Sequence, residues 1–217
     1  MKAVLPALAR PLLEPALPAD LDVAWFRTPD DAAAMIADAD IAWIDMSPVT
    51  HIAAAIRGAG PQLKWVSTLY AGLDAFPLDD LRRRGAIVTN GAGINAIAVA
   101  EYAVMGVLVG AKRFDTVLRA HDRHEWLADA PGKIELFESR ALIVGYGAIG
   151  RLIGERLAAF GVAVTGVTRS ARDGTIAPDA WRARLGEFDW VILAAPSTDA
   201  TRAMIGADEL AAMKRSA

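Results

Sequence analysis

Three glycines lie between an apolar strand and an amphipathic helix in the second half of this chain. In the stretch ALIVGYGAIGRLIGERLAAFGVAVTGV they have the spacing G-x-G-x-x-G. The first glycine of such a motif permits a tight turn, the second lets backbone approach a pyrophosphate, and the third lets the helix pack on the strand. The helix N-terminus then binds the anion through unpaired N–H groups and its dipole. The predicted dinucleotide site comprises Gly145, Tyr146, Gly147, Ala148, Ile149 and Gly150.

Short apolar segments alternate with alanine-rich helical ones along the chain, which predicts an α/β fold with a parallel sheet covered by helices. We expect a first α/β unit over residues 1–95 and a second over residues 96–217, with a hinge near residues 94–98. The longest apolar run, residues 96–111, is shorter than the about 20 residues that a bilayer span requires and contains Glu101, which predicts a buried helix. Residues 207–217 are predicted to form a helix that finishes in Lys214 and Arg215.

Charge and composition exclude several classes of function. The formal net charge is −3 with both signs interspersed, so no basic field is present that would hold nucleic acid or an anionic membrane. The chain has no cysteine, which removes disulfides, thiol nucleophiles and cysteine zinc sites and fits a reducing cytoplasm. Prolines at positions 6, 11, 15 and 18 break the continuous helix that an export signal needs. We therefore expect a cytoplasmic protein without a membrane or nucleic-acid partner.

The end of the second strand after the glycine motif bears on the choice of dinucleotide. An NAD site usually has a carboxylate about 20 residues after the motif, where it binds the ribose 2′-OH. Here Thr168, Arg169 and Ser170 occupy that place. An arginine beside hydroxyls suits a 2′-phosphate, which predicts a preference for NADP(H), with NAD(H) possible. The alternative is a solvated arginine that pairs with Asp173.

Four stretches together resemble the D-isomer-specific 2-hydroxyacid dehydrogenase family over essentially the whole chain. They are LKWVSTLYAGLDAFPLDDLRRRGAIVTN, AVAEYAVMGVLVGAKRF, LIVGYGAIGRLIGERLAAFGVAVTGVTRS and FDWVILAAPSTDATRAMIGADELAAMK. The resemblance implies a flavodoxin-like substrate-binding unit followed by the first half of a Rossmann dinucleotide-binding domain. It also implies a homodimer formed through the coenzyme domain, with residues 98–126 as the surface. Trp126 is then either an anchor of that surface or packed within its own chain.

The resemblance also implies individual site residues. Backbone amides at Tyr70, Ala71 and Gly72 would bind the substrate carboxylate, and a glycine-containing turn of this kind can be an anion nest or simply structural. Met46 and Ser47 would shape the pocket for the substrate side chain. Ala195, Pro196 and Thr201 would line the cofactor cleft. The family's clamping arginine and its Glu–His acid/base pair would lie beyond Ala217.

The three histidines, His51, His121 and His124, give no catalytic assignment, because nothing in the sequence places them near a substrate carbonyl. His121 and His124 could form a metal pair, but on a charged stretch they are more typical of a solvated face, so we predict no metal. The expected function is NADPH-dependent reduction of glyoxylate or hydroxypyruvate to the D-2-hydroxy acid. The alternative is a truncated, catalytically silent dinucleotide-binding or dimerisation module.

Overall fold

The computed structural model describes residues 1–45, 48–171 and 174–217. Within these residues the chain forms two compact units, Met1–Ile94 and Asn95–Ala217. Each unit has its own parallel sheet, so each is described separately below.

The first unit is built on a parallel sheet that has five strands among the described residues, in the order β2-β1-β3-β4-β5. The strands are β1 Lys2–Pro6, β2 Asp22–Phe26, β3 Ile41–Trp43, β4 Trp65–Ser67 and β5 Ile87–Thr89. The helices are α1 Arg10–Leu13, α2 Pro29–Met35, α3 Thr50–Gly58 and α4 Leu78–Arg83. This strand order is the flavodoxin-like one, in which ligands bind beyond the carboxyl ends of the strands.

Local sequence signals explain where these helices begin and end. Helix α2 starts with a capping box, in which the Thr28 hydroxyl accepts from the Asp31 N–H and the Asp31 carboxylate accepts from the Thr28 N–H. Pro29 occupies the first helical position, where a missing N–H is harmless. Gly85 follows α4 with φ of +70°, the left-handed conformation that commonly ends a helix.

The core of the first unit is a single cluster of buried aliphatic and aromatic side chains. It contains Val4 and Ala42 from the sheet, Ile52 and Ile56 from α3, and Leu81 from α4. All five are completely buried. Because helices pack on the sheet in this way, the loops at the carboxyl ends of the strands are held on a rigid frame.

The second unit is built on another parallel sheet, with four strands among the described residues in the order β8-β7-β6-β9. The strands are β6 Arg140–Val144, β7 Ala163–Val167, β8 Thr175–Ile176 and β9 Trp190–Leu193. The helices are α5 Ala96–Lys112, α6 Phe114–Asp122, α7 Ala148–Ala159 and α8 Ala207–Ala212. Read in chain order this is 3-2-1-4, the first four positions of the classical Rossmann sheet. The predicted α/β fold is confirmed.

Helix α5 is the long helix expected from the sequence, but only part of its surface is buried. Ala100, Val104 and Ala111 pack in the core of this unit with Ile153 and Leu157 of α7. No helix in the described ranges has the length and apolar content to cross a bilayer.

The last helix ends earlier than expected. Helix α8 stops at Ala212, and Met213 is extended, so Lys214 and Arg215 lie beyond the helix. The Lys214 ammonium instead donates to the Asp189 carboxylate at 2.6 Å. That ion pair ties the segment to the loop before β9, a tertiary contact that helix propensity does not predict.

A cluster of charges closes the amino-terminal end of β6. The Glu187 carboxylate accepts two hydrogen bonds from Arg184, both at 2.9 Å, and one from Arg140 at 2.8 Å. Both guanidinium groups also lie over the ring of Phe188, at 5.4 and 5.8 Å from its centroid. The hydrogen bonds and charge of Arg184, followed by the hydrogen bond and charge of Arg140, lower the pKa of Glu187 from its ordinary 4.5 to about 2.

Replacing Glu187 by glutamine is therefore expected to destabilise the second unit in a pH-dependent way. A lowered folded-state pKa stabilises the fold above the ordinary value of 4.5, and this contribution is lost as the pH falls towards 2. In urea unfolding at neutral pH, the free energy of unfolding of Glu187→Gln should be lower than that of the wild type. This difference should shrink as the pH falls from 4.5 towards 2. Glu135→Gln, at an exposed glutamate, is the matched control. A difference in unfolding free energy that stays constant with pH would contradict a lowered pKa of Glu187 as its cause.

Candidate functional site

The glycine turn joins the central strand of the second sheet to its following helix. Strand β6 is buried along Ala141–Val144 and lies between β7 and β9. Helix α7 begins immediately after the turn, with Gly147 as its N-cap. Strand β9 lies on the other side of β6 from β7, so the strand order reverses at this point. In open parallel sheets, ligands bind at such a switch point.

Two glycines of the motif are required by close contacts within the protein, and the third faces open space. Gly145 has φ of +98°, and a Cβ there would lie 2.4 Å from the amide nitrogen of Ala195. A Cβ on Gly150 would lie 2.3 Å from the carbonyl oxygen of Gly145, so this glycine lets α7 pack against the turn. A Cβ on Gly147 would meet nothing within 4 Å. The open space therefore lies at the middle glycine, where a ligand can approach the backbone.

The start of α7 presents unpaired donors to that space. No side chain caps the helix, and its first turn contains no acidic residue. Ala148, Ile149 and Gly150 are its first three residues, so their N–H groups have no carbonyl partner one turn earlier. Unpaired N–H groups and the positive end of the helix dipole together favour an anion such as a pyrophosphate.

Tyr146 is placed differently from the other predicted site residues. Its N–H donates to the Val167 carbonyl oxygen at 2.9 Å, and the Gly145 N–H donates to the same oxygen at 3.2 Å. Its ring packs where side chains on Gly154 and Gly166 would be, because a Cβ on Gly166 would lie 2.3 Å from the tyrosine Cγ. The ring therefore wedges between α7 and β7. A glycine inside a strand pattern signals such a close approach, and Gly166 could have revealed it.

The end of β7 carries the residues predicted to select the dinucleotide. The Thr168 hydroxyl donates to the Ser170 carbonyl at 2.7 Å and lies 3.0 Å from the Thr175 hydroxyl. Arg169 and Ser170 are exposed. Asp173, the alternative partner of Arg169, lies outside the described residues. The local bonds of Thr168 fix the turn, and Arg169 is accessible to solvent.

The segment after β9 borders the turn on its other side. Ala195 is the residue whose backbone approaches Gly145. The Thr201 hydroxyl donates to the Pro196 carbonyl oxygen at 2.6 Å and accepts from the Thr198 N–H at 2.8 Å. These bonds close a compact loop over residues 196–201. The hydroxyl of Thr201 thus shapes the loop that carries Pro196.

The loop after β4 in the first unit is fixed by its carbonyl groups. The Gly91 N–H donates to the Tyr70 carbonyl at 3.0 Å, and the Asn90 side-chain amide donates to the Ala71 carbonyl at 2.7 Å. In a trans peptide the C=O and the following N–H point in opposite directions. The N–H groups of Ala71 and Gly72 therefore point away from Asn90 and Gly91.

Two successive amides aimed in this way can form an anion nest. Tyr70, Ala71 and Gly72 are exposed, so a small carboxylate could reach the nest from solvent. Asn90 was not among the residues predicted from the sequence. Met46 and Ser47, predicted to shape the substrate side-chain pocket, lie outside the described residues.

The histidines occupy exposed positions. His51 lies in the first turn of α3, His121 near the end of α6, and His124 just after it with φ of +56°. His121 Nδ1 lies 3.7 Å from the neighbouring Asp122 carboxylate. Across the described ranges, no three histidine, aspartate or glutamate side chains come together as a metal site would require.

Comparison with known proteins gives one matching family model and several relatives. The model described as "D-isomer specific 2-hydroxyacid dehydrogenase, NAD binding domain" matches residues 104–217, just over half of the chain. D-3-phosphoglycerate dehydrogenase of Mycobacterium tuberculosis is 28% identical over 210 residues, which cover 92% of this chain and 39% of the relative. Glyoxylate reductase of Thermococcus kodakarensis is 28% identical over 176 residues, which cover 73% of this chain and 51% of the relative.

Solved structures show the same fold. A glyoxylate reductase from Paecilomyes thermophila superposes with a TM-score of 0.80 at 19% identity, covering 99% of this chain and 70% of that one. The chain spans about two fifths of the length of the phosphoglycerate dehydrogenases it matches.

Proposed function

The chain belongs to the D-isomer-specific 2-hydroxyacid dehydrogenase family, and from this we propose that it forms the dinucleotide-binding and oxo-acid-binding parts of an NADPH-dependent reductase. Residues 96–217 are proposed to bind the coenzyme and residues 1–95 the substrate. The observation that carries the proposal is the uncapped start of α7 facing open space at Gly147. Unpaired N–H groups on a rigid helix suit a pyrophosphate, because its charge is stabilised without a side-chain cation.

A preference for NADP(H) over NAD(H) is supported by the end of β7. Arg169 is exposed at the strand end, where an NAD site usually has a carboxylate. A guanidinium binds a 2′-phosphate through charge-assisted and potentially bidentate hydrogen bonds. NAD(H) would also bind in this proposal, but with lower affinity than NADP(H), because it lacks the 2′-phosphate that Arg169 would contact.

The substrate is proposed to be a small 2-oxo acid of the glyoxylate or hydroxypyruvate type. The amides of Ala71 and Gly72 would hold its carboxylate. The Tyr70 N–H, also predicted for this role, instead donates to the Thr68 hydroxyl, so Tyr70 would only fix the orientation of the loop. Bound NADPH supplies the hydride that the carbonyl carbon accepts, and a protein acid supplies the proton for the oxygen. In this proposal each unit of the chain binds and orients one of the two reactants.

A second candidate function is a dinucleotide-binding module without turnover. The proton donor implied by the family resemblance is a histidine held by a glutamate. His51, His121 and His124 are exposed, and among the described residues none of them is paired with a glutamate. The residues described here therefore support binding more directly than proton transfer.

NADPH consumption distinguishes these two functions. We would follow NADPH absorbance with glyoxylate, hydroxypyruvate and a phosphorylated oxo acid, and measure NADPH affinity in parallel. The reductase proposal predicts turnover of the first two and D-glycerate as the product from hydroxypyruvate. Binding without turnover would favour the module, and no binding would contradict both.

A homodimer through the second unit is proposed as well, in a protein that we propose to be cytoplasmic. Helix α5 exposes Ile97, Tyr102 and Met105, and Trp126, which follows α6, is 95% exposed. The tryptophan is therefore not packed within its own chain. Large exposed apolar side chains that lie close in sequence and rim a helix are typical of association surfaces.

Replacing Trp126 by alanine is expected to weaken this dimer by about 30-fold, because truncating a tryptophan anchor costs about 2 kcal/mol or more. Sedimentation velocity over a concentration series measures the effect. Phe160→Ala, at an exposed aromatic residue at the end of α7, is the control. Equal dissociation constants for the two variants would contradict the assignment of Trp126.

A further inference from the structure

We propose that Thr68 and Asp45 are positioning residues that hold the loop Leu69–Gly72 in the shape that binds the oxo-acid carboxylate. The inference rests on the proposed function, since it concerns how the same loop recognises its substrate. Neither residue belongs to the glycine motif or to the loop Leu69–Gly72 itself. Each acts on the loop through hydrogen bonds to its backbone.

Thr68 is a buried hydroxyl at the start of the loop. Only 2% of the residue is exposed to solvent. The hydroxyl accepts from the Tyr70 N–H at 3.0 Å and donates to an Asp45 carboxylate oxygen at 2.5 Å. The hydroxyl therefore both donates and accepts: the bond from Tyr70 fixes the loop locally, and the bond to Asp45 connects it to the end of β3. A buried polar group with this pairing favours one loop conformation, because breaking either bond leaves a partner unsatisfied.

Asp45 lies two residues after β3 and reaches the same loop. Its second carboxylate oxygen accepts from the Leu69 N–H at 2.7 Å and from the Trp43 indole N–H at 2.8 Å. The carboxylate is half-buried, and each of its oxygens accepts a bond from residues 68–69. Asp45 thus joins the ends of β3 and β4, two adjacent strands of the sheet.

The two sets of anchors act on different groups of the loop. Asp45 accepts a hydrogen bond from the Leu69 N–H, and Thr68 accepts one from the Tyr70 N–H. Gly91 and Asn90 donate to the carbonyl groups of Tyr70 and Ala71, respectively. The next two N–H groups in sequence are those of Ala71 and Gly72, which are directed away from Asn90 and Gly91. Fixing the preceding peptides before binding means that the anion does not have to order the loop.

Thr68→Val removes the hydroxyl but keeps the branched shape, and Thr68→Ser keeps the hydroxyl. We would titrate glycolate into each protein and follow the amide resonances of Ala71 and Gly72 by NMR. Thr68→Val should weaken glycolate binding by about tenfold, as expected for hydrogen bonds lost from a pre-ordered loop. Thr68→Ser should restore most of it. The NADPH affinity and the urea midpoint of the second unit should stay unchanged in both variants.

Asp45→Asn provides an independent variant. Its amide oxygen can still accept from Leu69 and Trp43, while its NH2 group faces the Thr68 hydroxyl in place of an acceptor. Glycolate affinity should fall, by less than in Thr68→Val. If Thr68→Val does not fold, this variant decides the proposal.

The outcomes separate the inference from the proposed function. If wild-type protein shows no glycolate-dependent shift at Ala71 and Gly72, the proposed carboxylate site itself fails. If wild type binds there and Thr68→Val or Asp45→Asn binds equally well, the site stands and the positioning role is overturned. A loss of glycolate affinity that Thr68→Ser does not rescue also overturns the role of the hydroxyl.

Discussion

Replacing Gly147 by valine is expected to weaken NADPH binding by about 100-fold or more while leaving the second unit folded. The backbone at Gly147 has φ of −85°, and a Cβ there meets no atom within 4 Å, so the substitution fits the protein alone. The added side chain occupies the space that the pyrophosphate needs beside α7. Losing two hydrogen bonds to a charged group, each about 1.5–3 kcal/mol, corresponds to this change in affinity.

Gly58→Val is the control for this experiment. Gly58 is also exposed, and a Cβ there also meets nothing within 4 Å, but it lies at the end of α3 in the other unit. Both variants should unfold at nearly the wild-type urea concentration, and only Gly147→Val should lose NADPH affinity in calorimetric titration. Wild-type affinity in Gly147→Val would show that the pyrophosphate is not bound at this turn.

Replacing Arg169 by alanine is expected to weaken NADPH binding by about 10- to 100-fold and to leave NADH binding nearly unchanged. The two cofactors differ only in the 2′-phosphate, so the loss should follow that group. One or two charge-assisted hydrogen bonds from a guanidinium contribute about 1.5–3 kcal/mol. Arg169 is exposed at the end of β7, so its removal should not disturb the sheet.

Arg215→Ala tests whether the loss is specific to position 169. Arg215 is exposed and belongs to the same unit, so it makes the same change in net charge. Its affinities for both cofactors should equal those of the wild type. Tighter binding of NADH than NADPH by the wild-type protein would contradict the preference itself.

The sheets could be predicted from the sequence because each strand is a short apolar run between helices. Strand β6 is the clearest case, with four buried residues directly before the glycines. The spacing of Gly145, Gly147 and Gly150 also predicts the turn, and close backbone contacts at Gly145 and Gly150 leave no room for a side chain there. The end of α8 could not be predicted, because the Lys214–Asp189 ion pair depends on tertiary position.

The side-chain anchors of the loop after β4 were not predicted. Asp45, Thr68 and Asn90 lie far apart in sequence and meet only because β3, β4 and β5 are neighbours in the sheet. Nothing local distinguishes them from ordinary strand-end polar residues. The orientation of Tyr146 is similar, because its ring depends on two glycines that lie 8 and 20 residues further along the chain. Contacts of this kind require strand order and register, which a single sequence specifies only indirectly.

We propose that the second unit binds a dinucleotide at the start of α7. The test is to titrate NADPH into isotope-labelled protein while recording amide resonances. We expect saturable binding of one NADPH per chain, with the largest shifts at Ala148, Ile149 and Gly150. Absence of binding, or shifts confined to residues away from this turn and the end of β7, would contradict it.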